Sequence, residues 1–134
     1  MNEILNSLER AFCEDCTERM KRVADRIAAN FPPDRGALDE MHQEFDTLFG
    51  GARAVHLPEL EHYFRSMARY ARFLRNCLTA GAKIDAQAWQ DMQDGIRIAQ
   101  RCNADTAACL KRCNSERVRL LQSIENRIDK GEGQ

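Results

Sequence analysis

Apolar residues recur at steps of three and four along almost the whole chain, and strand-like alternation is scarce. That spacing puts them on one face of a helix. A first helix is expected over about residues 2–30, with the stripe Leu5, Leu8, Phe12, Cys16, Met20, Val23 and Ile27. A second carries Leu38, Met41, Phe45, Leu48, Ala52 and Val55. A third carries Leu57, Leu60, Phe64, Met67, Ala71, Leu74 and Leu78. A fourth carries Trp89, Met92, Ile96 and Ala99, and a final one, about 105–129, carries Leu110, Cys113, Leu120, Leu121, Ile124 and Ile128.

The punctuation agrees with the periodicity. Phe31-Pro32-Pro33 stops the first helix, because the residue before a proline is pushed out of the helical region. Asp34 or Asp39 can cap the second helix. Pro58 suits the first turn of the third, where its missing N–H does no harm. Gly81 closes that helix and Asp85 can cap the fourth. Only Asn103-Ala104-Asp105 separates the fourth from the fifth. Short links between long helices favour antiparallel neighbours. The expected fold is all-α: an antiparallel four-helix bundle with an additional C-terminal helix, forming one unit over 1–130, followed by a disordered tail at 131–134.

Composition narrows the function. A formal net charge of −1 over 134 residues asks for neither nucleic acid nor an acidic membrane surface. Met1-Asn2-Glu3-Ile4-Leu5-Asn6 lacks the basic start and apolar run of a signal peptide, and no stretch has the apolar length of a membrane span. The expected compartment is the cytoplasm, where the six cysteines stay mostly reduced.

The second helix carries adjacent glycines, Gly50 and Gly51. Each costs up to about 1 kcal/mol against alanine in a helix interior, so the pair needs a reason. Glycine lets another body approach the backbone closely. At about 100° per residue, His42, Asp46, Gly50 and Arg53 cluster on an outward face, with Phe49 between that face and the apolar one. The helix is expected to fray around Arg53 to His56, just before Leu57-Pro58-Glu59-Leu60 starts the next.

An outward residue, a glycine one turn on, a hinge and a Leu-Pro-Glu-Leu helix start together resemble a histidine-containing phosphotransfer (HPt) domain. The similarity is greatest to the N-terminal phosphotransfer domain of chemotaxis-type histidine kinases. That family carries a motif of the form His-x-x-Lys-Gly-Ser/Gly/Ala; here the aligned residues are Asp46-Thr47-Leu48-Phe49-Gly50-Gly51. The resemblance covers about residues 2–103 and includes the helix start Asp85-Ala86-Gln87-Ala88-Trp89-Gln90-Asp91-Met92. It implies that Asp46 stands where the phosphorylated histidine would be, and Phe49 where a lysine would steady the phosphoryl group. His56 falls in a hinge where the family often has glycine.

Both departures act against phosphotransfer. An imidazole is a good nucleophile near neutral pH, whereas a carboxylate accepts phosphate only with help, usually Mg²⁺ held by further carboxylates. Asp46 has no acidic cluster around it in the sequence. Phe49 removes a cation that would balance phosphate charge. The resemblance therefore implies a degenerate domain that docks a response-regulator receiver domain or a histidine kinase through His42, Asp46, Phe49, Gly50 and Arg53. It implies no catalysis, cofactor or phosphate transfer.

Other residues invite other readings. His42 and Asp46, at i and i+4, have the spacing of half a metal site. Cys13-x-x-Cys16 lies mid-helix, without the strand a thioredoxin-like site needs. Cys102, Cys109 and Cys113 cluster near the last helix junction, so a thiol- or metal-dependent sensor is the alternative from another class; buried small hydrophobes are the commoner fate of such residues. A plain helical dimerisation module is a third. Arg65, Arg69, Arg72 and Arg75 fit a solvated face or an acidic-partner strip. Tyr63 and Tyr70, seven apart, are expected at the edge of the core. No nucleophile–base pair, phosphate loop or metal motif marks an enzyme.

Overall fold

The computed structural model describes the backbone of residues 2–101 and 106–132, and the side chains of 7–101 and 115–131. It is all-helical: α1 (Asn2–Ala29), α2 (Arg35–Ala54), α3 (Pro58–Thr79), α4 (Ala86–Gln100) and α5 (Thr106–Glu132), with no strand among the described residues. The expected punctuation operates locally. The Asp34 carboxylate accepts from the Ala37 N–H at 2.8 Å, and the Asp85 carboxylate from Ala88 N–H at 2.7 Å. That bond, with the Arg127 guanidinium behind it, holds the Asp85 carboxyl below its ordinary range. Pro58 takes the first turn of α3, and Gly81 turns the chain after it at φ 72°.

Cross-helix contacts fix the arrangement. Arg26 on α1 reaches Glu40 on α2 while Arg19 reaches Glu44, so the two helices run antiparallel. Helices α2 and α3 form an antiparallel hairpin along nearly their full length, tied by Arg75–Asp39 at one end and Arg53–Glu61 at the other. Helix α4 runs antiparallel to α1, where the Cys16 thiol lies 3.8 Å from the Ala99 carbonyl oxygen. It runs antiparallel to α3 as well: Tyr63 donates to the Gly95 carbonyl and Tyr70 to that of Ala88. Helix α5 lies on α3 and α4, held by Arg117–Glu59 and by Ser123 donating to Asp91 at 2.8 Å.

The core draws on every helix. Phe12, Met20, Phe45, Leu48, Phe64, Met67, Met92 and Ile124 are among its members. Burying such a side chain stabilises the fold by about 1.5–3 kcal/mol each. Three expectations are corrected. Leu8 is 48% exposed, because the stripe of α1 runs past the end of its neighbours. Tyr63 and Tyr70 are wholly buried rather than at the core edge. Each takes up an α4 backbone carbonyl, and this lets the phenol enter the interior without an unpaired hydroxyl. Burial pushes the Tyr70 phenol well above its ordinary range. Finally, α5 continues through Lys130, Gly131 and Glu132, two residues into the stretch expected as tail; residues 133 and 134 lie outside the described set. Gly131 permits that run. A Cβ there would come within 2.3 Å of the Phe73 ring.

Candidate functional site

Helix α2 presents its outward row between the flanks that pack on α1 and α3. Asp46 is exposed and makes no hydrogen bond or ion pair among the described residues. Gly50, one turn on, is also exposed, and a Cβ built there would meet nothing within 4 Å. The position is open space among the described residues, none of which requires glycine at 50.

Its neighbour Gly51 differs. A Cβ there would come within 3.1 Å of the Phe12 ring, so Gly51 serves the α1–α2 contact. The pair thus has two separate local settings. One glycine closes a helix interface, and the other leaves a bare patch of backbone beside a lone carboxylate.

The remaining expected site residues divide by flank. Phe49 is half-buried and packs against the core. His42 is half-buried, with Nδ1 2.8 Å from the Ala68 carbonyl oxygen of α3. Its ring is engaged inside the hairpin rather than standing free on the outward face. Arg53 is exposed and approaches Glu61 at only 3.9 Å, which contributes little in solvent. The face that Asp46, Gly50 and Arg53 share is therefore open, with Phe49 and His42 along its α3 edge.

The hinge after α2 is set by the backbone. Leu57 N–H donates to the Ala52 carbonyl at 2.9 Å, and His56 takes φ 60°. That left-handed conformation is costly for a side-chain-bearing residue and free for glycine.

No protein-family model matches the chain, and neither a curated protein nor a solved structure does.

The other candidates place as follows. Cys13 and Cys16 are buried free thiols, and Cys77 is half-buried with its thiol pushed up by burial. The side chains of Cys102, Cys109 and Cys113 lie outside the described residues. Among the described residues, no group of three or more histidine, cysteine or acidic side chains is placed to hold a metal ion. The pairing of His42 with Asp46 is not made: the His42 ring turns to Ala68 and Asp46 to solvent. His56 and His62 are exposed, the latter 3.3 Å from Glu125. No helix of the described residues is long and apolar enough to cross a membrane.

Among the described residues, no base, cation or second carboxylate contacts Asp46. Sequence reasoning overlooked the tight α3–α4 approach at Gly95. A Cβ at that position would overlap Met67 at 2.3 Å. A helix glycine flanked by apolar residues, Met92 and Ile96, was the available signal.

Proposed function

We propose that the chain is a degenerate HPt-like domain of two-component signal transduction, in which α1–α4 act as the four-helix bundle and α5 is an addition. It docks a response-regulator receiver domain, or the histidine kinase that feeds one, and carries no phosphate itself. The observation that carries this reading is Asp46 standing unpartnered beside the open backbone at Gly50. A glycine that nothing among the described residues needs, at a cost of up to about 1 kcal/mol of helix stability, is explained by a partner that approaches there.

The antiparallel α2–α3 hairpin and the left-handed hinge at His56, where the resemblance implies glycine, support the same reading. So does Phe49, whose half-buried ring offers an apolar edge beside the patch where a cation would be needed for phosphate. The role is competition, sequestration or scaffolding in a cytoplasmic, bacterial-type phosphorelay.

The test mixes the purified protein with phosphorylated receiver domains and with ATP-fed kinases. Binding without transfer of label is expected, and Gly50→Leu should abolish it while leaving the helical signal intact. Label arriving on any histidine or aspartate of this chain would reject the inactive reading. Absence of binding to any receiver or kinase would reject the docking reading.

A further inference from the structure

Helix α2 carries a pattern that is complementary to itself. Asp46 and Arg53 are seven residues apart, so they point within about 20° of one another, two turns apart along the helix. Phe49 and Gly50 sit midway in height, each about 50° from the direction that pair shares, on opposite sides of it. Asp46 and Arg53 are both exposed. Asp46 makes no hydrogen bond or ion pair among the described residues, and Arg53 has only its loose 3.9 Å approach to Glu61. Between them, Phe49 keeps part of its ring at the surface. Gly50 presents bare backbone, and among the described residues it is the only helical glycine whose added Cβ would meet nothing. An acid is matched by a base, and a ring by a gap.

A two-fold axis through the middle of this stretch exchanges the members of each pair. It lays a second α2 antiparallel on the first, with height and side both reversed. The second copy's Arg53 then arrives at Asp46, and its Asp46 at Arg53. Its Phe49 arrives over Gly50, while its own Gly50 receives Phe49. Bare backbone at the crossing admits the ring where a side chain would hold the helices apart. A parallel two-fold contact would instead set Asp46 on Asp46 and Arg53 on Arg53, like charge on like.

We propose that the outward face of α2 is a homodimer contact, in which α2 crosses α2 antiparallel at Gly50. Two Asp46–Arg53 pairs flank the crossing, and each Phe49 ring seats over the other copy's Gly50. The partner is a second copy of this chain, selected by that match of charge and shape. The proposal stands on the α2 pattern alone. Joined to the docking reading, it makes the dimer a cap on the site, because a receiver domain and a second copy compete for one face. A single helix crossing lies at the small end of specific interfaces, so the dimer forms reversibly with concentration and weakens with salt.

The experiment measures mass by sedimentation equilibrium of the full chain at low salt, up to about 1 mM. The parent is compared with Asp46→Arg, Arg53→Asp, the double variant Asp46→Arg/Arg53→Asp, and Gly50→Leu, with circular dichroism confirming that each stays helical. The parent should dimerise. Each single reversal sets like charges together twice and should weaken the dimer roughly tenfold or more. The double variant restores both pairs with their signs exchanged and should dimerise nearly as the parent does, as should an equimolar mixture of the two single variants. Gly50→Leu fills the gap and should leave a monomer. A parent that stays monomeric throughout overturns the proposal. So does a dimer that the single reversals or Gly50→Leu leave unchanged, or that the double variant fails to restore. Receiver binding is measured separately, on chain dilute enough to be monomeric. A monomer that binds a receiver overturns the dimer and keeps the docking reading. A dimer that passes the charge exchange, while no receiver or kinase binds, sustains the dimer and rejects the docking reading.

Discussion

The imidazole of His42 is tied across the hairpin to the backbone of Ala68, with Nδ1 2.8 Å from the carbonyl oxygen. A residue one turn before Asp46 thus spends its polar group on the α2–α3 contact. His42→Ala should lower unfolding free energy by about 1 kcal/mol, the usual net worth of such a bond. Urea denaturation reads the loss, and the affinity of the Gly50 face for its partner should hardly move.

The glycines of α2 and α4 should respond oppositely to one added methyl. At Gly50 nothing lies within 4 Å, so Gly50→Ala should stabilise the protein by up to about 1 kcal/mol through helix propensity. At Gly95 the methyl meets Met67 at 2.3 Å and must displace it against the packed α3–α4 interface. Gly95→Ala should cost about 1–3 kcal/mol. Paired thermal melts of the two variants check the sign of each.

His56 holds a left-handed backbone that glycine takes without penalty. His56→Gly should therefore raise stability by roughly 1 kcal/mol, net of the extra freedom glycine has in the unfolded chain. A fall in melting temperature would mean that the imidazole makes a contribution that outweighs the backbone relief.

If the α2 face is a phosphotransfer site without its chemistry, restoring two residues should restore function. Asp46→His supplies the nucleophile and Phe49→Lys the cation beside it. The double variant should take label from the kinase it docks, while the parent takes none. Phe49 packs against the core, so the lysine should also cost about 1–2 kcal/mol of stability. A double variant that stays folded, binds that kinase and remains unlabelled would count against the reading.

Alkaline stability should follow Tyr70. Its buried phenol, bonded to the Ala88 carbonyl, titrates above its ordinary value because burial disfavours the anion. With the folded value raised, its contribution is fully present below the unfolded value of about 10 and is lost as pH rises beyond it. The loss should approach about 1.4 kcal/mol per pH unit over that window. Tyr70→Phe should remove this component, seen as a shallower alkaline arm when both proteins are unfolded in urea across that range.

Helix identities and most boundaries were legible in the sequence because their causes are local. A proline pair ends α1, the Asp34 and Asp85 carboxylates cap α2 and α4, Pro58 opens α3, and apolar steps of three and four choose each buried face. The outward placing of Asp46 and Gly50 was legible for the same reason, since 100° per residue fixes which side faces away from Phe45 and Leu48.

What lies between helices was not legible. Whether Tyr63 and Tyr70 sit at an edge or inside depends on α4 presenting the Gly95 and Ala88 carbonyls to them. Whether the His42 ring faces solvent or Ala68 depends on the register of the hairpin. Sequence periodicity alone determined which side of each helix is apolar. Only the tertiary structure decided which charges find partners across helices, as Arg75 finds Asp39 and Arg117 finds Glu59, because ion pairing depends on distances between elements that no local pattern encodes.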